Sequence, residues 1–382
     1  MNQIMALKGV PSGGFAPASL DLTRHRPDAP ITIEIRPLAG CGDIAQVWSQ
    51  LAARATEPNP FFEPGFALAA AQHLVAFRDV TVILAWQGQA TEPNRRLVGL
   101  IPCFPRNRLF TPDALIGFAD RRVLNGAPLL DARQAGAIIE TVLAMRSDRM
   151  FEGRGLILRA MNLESPLVAE ALRAAERLGL AATLRPAALP LLPDRPSASA
   201  ISASRQNLAR LGKLTLLEPT TQVGLRDAVE VLLAMEASGP RARAGSATLQ
   251  DTREVGFLRA MTRSLAHVKQ CRVSLLMLDD QPIAGAIVLG RARSGWLYLT
   301  AEDAAHAAST PTRVLLAMIS QSAPSRQILQ LEGLPGLGPA AARYGELHLT
   351  PRPARKPADI AARMRNAFRS SMFRPRHAAG GG

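Results

Sequence analysis

The sequence has few cysteines, few aromatic residues and no long apolar run. Its three cysteines, Cys41, Cys103 and Cys271, are far apart and show no CxxC spacing, which indicates neither a disulfide framework nor a structural zinc site. Aromatic residues make up 4% of the chain, so few side chains could stack on single-stranded nucleic acid. No stretch approaches the ~18–20 apolar residues of a membrane helix. The first 20 residues lack the apolar segment of a secretory signal. These absences predict a cytoplasmic protein with buried, unreactive cysteines.

Several catalytic signatures are also missing. The chain contains no GxSxG elbow of a Ser–His–Asp hydrolase, and residues 333–338 (GLPGLG) lack the Lys of a Walker loop and the register of a dinucleotide fingerprint. The histidines show no HxxxH spacing, so no metal site is predicted. The six histidines are His25, His73, His267, His306, His348 and His377.

The positive charge is large but uneven. The net charge is +14 and the sequence pI is about 11.1, yet only four of the 45 basic residues are lysines, a bias typical of GC-rich genomes. Residues 351–382 hold eight cations against Asp359 alone, which is half of the excess charge. The charge therefore belongs largely to a tail, and we expect nucleic acid not to be the main partner.

The 382 residues suggest about two domains, and the order of predicted elements repeats. Each half is expected to contain two helices, an antiparallel meander, a further helix and a strand; VTVILAWQ at 80–87 and RVSLLML at 272–278 are corresponding strands. Residues 187–204 contain three prolines and a Ser/Ala run typical of an interdomain connection. We predict an α/β fold with mixed sheets, formed by tandem duplication. The predicted units are a flexible leader (1–29), two lobes (30–190 and 191–350) and a basic tail (351–382).

Eight short phrases, in order, resemble the GNAT acyltransferase superfamily and, within it, the two-lobed proteins labelled CelD/BcsL-like. The first four are WSQL (48–51), NPFF (59–62), LVGLIP (97–102) and LNGAPLLD (124–131). The other four are EASG (236–239), AGSA (244–247), PIAG (282–285) and VLL (314–316). This family is named for a link to cellulose and exopolysaccharide synthesis. The resemblance implies two GNAT-like lobes, of which the first is scaffold or acceptor-binding surface.

The resemblance implies a place for an acyl-CoA co-substrate. In the superfamily its pyrophosphate binds backbone N–H groups at the N-terminus of the helix that follows a splayed central strand, where unpaired amides and the helix dipole attract anions. The matching residues are Ser309, Thr310, Pro311, Thr312, Arg313 and Val314. A Ser or Thr cap followed by Pro suits a helix start. This chain departs from the family pattern because the usual glycine-containing turn is replaced by Pro311–Arg313.

Acyl transfer needs a base, a donor that polarises the carbonyl and an acid for the leaving thiolate. Glu302 or Asp303, with His306 as a substrate-binding neighbour, is the candidate base because this pair follows the strand near the expected thioester. Glu236 lies in a phrase that the family shares and either faces the acceptor or ends its helix. Tyr344 is the candidate acid. We name Glu302, Asp303, Glu236 and Tyr344 as candidate catalytic residues.

Two arginines and one late carboxylate are candidate substrate-binding residues. Arg241 and Arg243 lie where relatives carry Lys or Arg, and could hold an anionic acceptor or CoA phosphates. Glu332 keeps one carboxylate of a late family phrase, but the Asp-Ser-Cys-like residues and nearby His of that phrase are absent. Their absence leaves open a degenerate member of the family that binds without catalysing.

The basic tail has a helical apolar face formed by Ile360, Met364, Ala367, Phe368 and Met372, flanked by arginines. Docking on the protein itself, contact with an anionic membrane surface and binding of an acidic polymer are the three alternatives. Contact with a membrane would make the protein peripheral at the inner membrane face.

The sequence therefore predicts a GNAT-type acyltransferase. It would transfer an acetyl or other acyl group from acyl-CoA, without a metal, to an amine or hydroxyl of a small-molecule or saccharide acceptor linked to cell-surface polysaccharide. The two alternatives are a non-catalytic GNAT binding protein and a Fem-type transferase that uses aminoacyl-tRNA.

Overall fold

The structure of the chain is a computed structural model. It describes residues 29–89, 92, 95–104, 114–145, 155–186, 197–291, 294–322, 330–332 and 344–352. The predictions about the leader before residue 29 and the tail from 353 onward lie outside the described residues.

The first half follows the predicted order closely. Its helices begin at capping positions: Ser165 accepts a hydrogen bond from the Val168 N–H, and Pro166 occupies the first helical position. The elements of this half are β1 (Ile31–Pro37), α1 (Ala45–Arg54), α2 (Pro64–His73), β2 (Thr81–Gln87), β3 (Arg96–Cys103), β4 (Ala114–Ile116), β5 (Leu129–Leu130), α3 (Ala135–Ala144), β6 (Gly155–Asn162), α4 (Pro166–Arg177) and β7 (Ala181–Pro186).

The second half repeats the order of helices, meander, helix and strand. Its elements are α5 (Ala198–Ala209), β8 (Leu214–Leu217), α6 (Gln222–Ser238), α7 (Pro240–Arg243), α8 (Thr252–His267), β9 (Cys271–Leu278), β10 (Gln281–Leu289), β11 (Ser294–Glu302), α9 (Pro311–Ser322), β12 (Gln330–Glu332) and β13 (Tyr344–Thr350).

One helix starts earlier than the sequence suggested. The Ser/Ala run at 197–204 resembles a linker in composition, but α5 already begins at Ala198. Ser197 caps it by accepting a hydrogen bond from the Ala200 N–H, and the alanines that follow are good helix formers. Capping and propensity therefore outweigh the loop-like composition there.

Three sheets organise the described residues. One has the order β1-β2-β3-β5, a second β12-β11-β10-β9-β8, and a third β4-β6-β13-β7. In the second sheet the neighbouring strands are antiparallel except β11 and β12, which are parallel and are connected through α9. The predicted α/β fold with mixed sheets and two similarly ordered halves is confirmed.

The last described strand crosses between the halves. β13 pairs antiparallel with β6 on one side and with β7 on the other, so it completes the sheet of the first half. Its side chains alternate, with Leu347 and Leu349 fully buried. The sequence placed residues 344–350 with the second lobe, because position along the chain does not reveal which sheet a strand joins.

The two halves share one hydrophobic core. Helices α2 and α8 pack against each other, and the largest cluster of buried side chains draws residues from both halves. An ion pair crosses the same interface, because Arg291 donates to the buried Glu63 at 3.1 Å. Two smaller clusters lie on the outer faces, one under α3 and α4 and the other under α5 and α9.

The cysteines behave as expected. Cys41, Cys103 and Cys271 are free and buried. Burial raises the pKa of Cys103 and of Cys271 to about 12, so both remain thiols at neutral pH.

Candidate functional site

Strand β11 is irregular at its centre. Ile287 of β10 pairs with Leu299, and the next residue, Val288, pairs with Leu297. Tyr298 is therefore an extra residue with no pairing partner on β10. Such a β-bulge leaves one residue outside the regular ladder and is common beside active sites.

The other edge of β11 is paired only at its start. β12 joins it at Ser294, Gly295 and Trp296, and among the described residues no strand covers the remainder of that edge. The bulge at Tyr298 therefore lies beyond the described pairing of β11 with β12.

A cavity of about 580 Å³ lies beside the bulge, between the two halves. This volume is in the range typical of small-molecule sites. Tyr298 and Leu299 of β11 form part of its wall. The first half contributes Arg121, Arg122 and Leu124, and the second half contributes Arg241, Gly245, Ser246, Ala247, Thr248, Gln250, Asp251, Glu254, Phe257 and Leu258.

An ion-pair cluster joins the halves in the cavity wall. Arg122 donates to both carboxylate oxygens of Glu254 on α8 and, through Nη1, to Asp120 at 2.8 Å. The hydrogen bonds from Arg122 to Glu254 raise the pKa of the guanidinium. Arg121 also donates to Glu254, at 3.0 Å, but its side chain is 76% exposed. The arginine pair thus fixes the 120–124 segment of the first half against α8.

Aromatic rings hold Tyr298 in position. Its ring lies 5.9 Å from that of Phe66 and 6.5 Å from that of Phe257, both nearly edge-to-face. Burial raises the pKa of the Tyr298 hydroxyl, so the phenol stays protonated at neutral pH.

Glu236, a candidate from the sequence, organises the loop that forms the cavity rim. Its carboxylate accepts from Arg241 at 2.8 Å and from the Thr248 N–H at 3.0 Å, while only 2% of the side chain is exposed. The residue therefore ends α6 and anchors the 239–250 loop, instead of facing the cavity with a free carboxylate.

Glu236→Gln is expected to lower the free energy of unfolding by about 2–4 kcal/mol, because a buried charge-assisted pair is replaced by weaker bonds. Urea unfolding should measure the loss. Glu230→Gln is the control, since Glu230 pairs with Arg259 on the exposed outer face of α6. A loss no greater than that of the control would contradict an anchoring role for Glu236.

The predicted donor-phosphate residues lie at the N-terminus of α9, as the sequence suggested. The local backbone groups are already paired: the Thr312 N–H donates to Glu302 Oε2 at 3.3 Å, and the N–H groups of Arg313 and Val314 donate to the Thr310 carbonyl. The Val314 side chain is fully buried in the core under α9, whereas Arg313 is exposed. Glu302 therefore occupies the first turn of α9 with the chain's own negative charge.

Thr310 has a left-handed backbone, with φ 45° and ψ 55°. A β-branched residue rarely adopts this conformation. Its hydroxyl lies 3.1 Å from that of Ser204 on α5, which helps hold the turn. A non-glycine residue thus occupies this left-handed position, and the neighbouring helix α5 holds it there.

Asp303 and His306 form a local pair in the turn before α9. Asp303 accepts from the Ala305 N–H at 3.1 Å and lies 3.0 Å from His306 Nδ1. The backbone hydrogen bond from Ala305, together with His306, lowers the pKa of Asp303. A lowered pKa makes this carboxylate a weaker base. Ser309 ends the same turn and is half-buried.

Tyr344 and Glu332 lie at the opposite end of β11. The Tyr344 ring packs against Trp296 at 5.9 Å, and the backbone of Glu332 pairs with that of Trp296. Trp296 and Glu302 are six positions apart along β11, which is about 20 Å at the rise of a strand. The structure therefore does not bring Tyr344 and Glu302 to one reacting group.

The predicted site residues thus form three groups. Glu302, Asp303, His306 and the 309–314 segment gather at α9, and Tyr344 and Glu332 lie near Trp296. Arg241, which binds the buried Glu236, borders the cavity. Arg243 is exposed on α7 and does not line the cavity.

Sequence reasoning missed residues of the cavity wall, among them Arg121, Arg122, Glu254 and Tyr298. The adjacent arginines were a visible signal, and Tyr298 is one of only two tyrosines in the chain. Glu254, which both arginines bind, is more than 100 positions from them along the sequence.

Among the residues that the structure describes, no three His, Cys, Asp or Glu side chains are grouped as a metal site. Within the same ranges, no helix has both the length and the apolarity that a membrane span requires.

Comparison with known proteins adds to this geometry. Residues 198–371 match the sequence model of the acetyltransferase (GNAT) domain. A search of curated proteins finds no match.

Solved structures show broad but distant similarity. The C-terminal domain (DUF2156) of a protein described as a lysylphosphatidylglycerol synthetase of Agrobacterium fabrum is 14% identical, with 85% of this chain and 95% of that chain covered at a TM-score of 0.45. FemX is 10% identical over 73% and 84% of the two chains, with a TM-score of 0.45. A tandem GNAT protein from the clavulanic acid biosynthesis pathway is 13% identical over 83% and 97%, with a TM-score of 0.32.

At these TM-scores the similarities carry no argument about function, and the match to the domain model is the informative finding. The CelD/BcsL-like assignment stays a prediction. The chain is an acyltransferase of two similarly ordered α/β halves, the second of which matches the GNAT acetyltransferase domain.

Proposed function

We propose that this protein transfers an acyl group from an acyl-CoA to an amine or hydroxyl of an acceptor bound in the cavity between the halves. The observation that carries this proposal is the position of the β11 bulge, which lines the cavity just beyond the described pairing of β11 with β12. An acceptor in the cavity would lie beside β11 at its bulge, where a thioester could be held in line with it.

The polar rim supports a hydroxyl-rich acceptor such as a saccharide. Ser246, Thr248 and Gln250 border the cavity together with arginines from both halves. An acceptor linked to cell-surface polysaccharide is part of this proposal, and it rests on the family resemblance alone.

The base remains a proposal as well. Glu302 is the better candidate of the predicted pair, because its bond to the Thr312 N–H is long at 3.3 Å, whereas Asp303 has two partners and a lowered pKa. In this role Glu302 would leave the first turn of α9 as the donor phosphates enter it.

A second candidate function follows from the same contact. With Glu302 in place, the first turn of α9 offers a carboxylate to an incoming anion, which opposes pyrophosphate binding. This favours a donor that does not use that turn, such as the aminoacyl-tRNA of the Fem-type alternative.

Isothermal titration with acetyl-CoA and with free CoA separates the two candidates. Acyl-CoA dependence predicts micromolar binding that Arg313→Glu weakens at least tenfold, whereas Arg226→Glu, an equal charge change at an exposed arginine on α6, leaves it unchanged.

If the wild type fails to bind either ligand while Glu302→Gln gains binding, the chain's own carboxylate closes the α9 turn and the second candidate is favoured. Salt-dependent binding of aminoacyl-tRNA would then support it. Absence of CoA binding in every folded variant would overturn the acyl-CoA proposal.

A further inference from the structure

The cavity between the halves has a marked imbalance between hydrogen-bond donors and acceptors. Its carboxylates are engaged: Glu254 accepts from Arg121 and Arg122, and Asp251 accepts from the Arg253 N–H at the start of α8. The amide of Gln250 is bonded at both ends, to the Ala247 N–H and the Ala242 carbonyl. Both carboxylates and the side-chain amide of the lining therefore have partners within the protein.

Donors remain available on the same surface. Arg121 and Arg241 each use one terminal nitrogen for a carboxylate, and their side chains are 76% and 54% exposed. A guanidinium has five N–H donors, so each arginine retains several. Tyr298 lines the cavity, and within the described part of the chain its hydroxyl makes no hydrogen bond.

We propose that this cavity binds an anionic, oxygen-rich group of the acceptor, a carboxylate or phosphate, with Tyr298 and Arg241 as direct ligands and Arg121 at the mouth. The inference deepens the proposed function by naming the charge class of its acceptor, and it rests on that function. A group with several acceptor atoms and no donors complements the remaining donors, and arginine is well suited to carboxylate and phosphate.

The arrangement also explains why both halves are needed for this site. Arg121 comes from the first half, whereas Tyr298 and Arg241 come from the second. The bidentate contact of Arg122 with Glu254 holds the two surfaces together without consuming the donors of Tyr298 or Arg241.

The first experiment measures binding of three probes by isothermal titration at constant ionic strength: glucuronate, inorganic phosphate and glucose. We expect glucuronate or phosphate to bind and glucose not to bind. The anion that binds more tightly shows whether the acceptor carries a carboxylate or a phosphate. Tyr298→Phe and Arg241→Gln should each weaken anion binding at least tenfold. Arg226→Gln, which removes an exposed arginine of α6 outside the cavity, should not change it.

Arg241→Gln also removes a partner of the buried Glu236 and could disturb the loop. Arg121→Gln is therefore included, since Arg121 is exposed and its loss leaves Arg122 on Glu254. Each variant whose anion binding is compared with the wild type should have the circular dichroism spectrum of the wild type.

The second experiment uses the two-tyrosine composition. In Tyr344→Phe, Tyr298 is the sole tyrosine, so a carbon-13 label at tyrosine Cζ gives one NMR resonance, which reports on the Tyr298 hydroxyl alone. A bound anion that accepts from the phenol should shift this resonance, because the hydrogen bond changes the electron density at Cζ.

Equal affinity for glucose and glucuronate would overturn the inference, and so would equal losses of anion affinity in Arg226→Gln and Tyr298→Phe. So would anion binding that leaves the Tyr298 Cζ resonance unmoved. Acyl transfer to a neutral acceptor without anion binding would retain the function and reject this inference. Anion binding that the variants weaken as expected, without acyl transfer from any donor, would support this inference and reject the proposed function.

Discussion

Removing residues 344–382 is expected to unfold the outer sheet of the first half, although the deleted residues come from the end of the chain. β13 lies between β6 and β7 and pairs with both, so its loss leaves two strands without their shared partner. Leu347 and Leu349 are fully buried, and burial of two such side chains contributes about 3–6 kcal/mol. That amount is a large share of the stability of a typical domain.

The measurement is thermal unfolding followed by circular dichroism, with hydrogen exchange of the β6 amides as a local readout. A matched truncation after Thr350 keeps β13 and removes only the tail, so the difference between the two chains isolates the strand. This shorter truncation also tests the tail. If the tail docks on the core, its removal should lower the stability of the protein. Equal stability of the two truncated chains would show that β13 is not part of the sheet that holds the first half together.

Gly126→Ala is expected to destabilise the first half by about 3 kcal/mol or more. A Cβ at this position would lie 2.0 Å from the Arg159 carbonyl oxygen, a backbone atom that cannot move alone. The Gly126 N–H also donates to the Ala160 carbonyl at 2.9 Å. Overpacking costs about 1–3 kcal/mol, and a broken buried hydrogen bond adds a similar amount.

The surrounding contacts make the site unable to relax. Buried Asn59 donates through Nδ2 to the carbonyls of Asn125 and Ala127, at 2.9 and 2.7 Å. A shift of Gly126 would strain both bonds. Gly42→Ala is the control because its added Cβ meets nothing within 4 Å, and we expect a change within about 0.5 kcal/mol. Urea unfolding that gives equal midpoints for the two variants would contradict the close-packing argument.

The Asn125–Gly126 turn also shows how a sequence signal can be correct and incomplete. Asn-Gly predicts a turn, and the Asn125 side chain accepts a hydrogen bond from the Ala127 N–H, as in an Asx turn. The reason that a glycine is required comes from Arg159, 33 positions away, whose carbonyl occupies the space of a side chain. The turn is a local property, whereas the need for glycine is a packing property.

The positions of the predicted site residues in the fold depend on the sequence to different degrees, for a related reason. Ser309–Val314 could be located from a cap, a proline and the apolar residues that follow, because helix starts are decided within a few residues. That Glu302 would accept from the Thr312 N–H depends on how β11 ends against α9. Tyr344 was expected near the same chemistry, yet the sheet places it beside Trp296 at the other end of β11.

The sequence by itself determined the α/β class, the repeated order of elements and most boundaries of helices and strands. These follow from apolar periodicity, capping residues and turn residues, all of which act over short distances along the chain. The tertiary structure alone decided that β13 completes the sheet of the first half, and that Arg121, Arg122, Glu254 and Tyr298 share one cavity wall. Strand pairing and ion pairs between distant segments leave no local pattern, because their partners are selected by the packing of the whole chain.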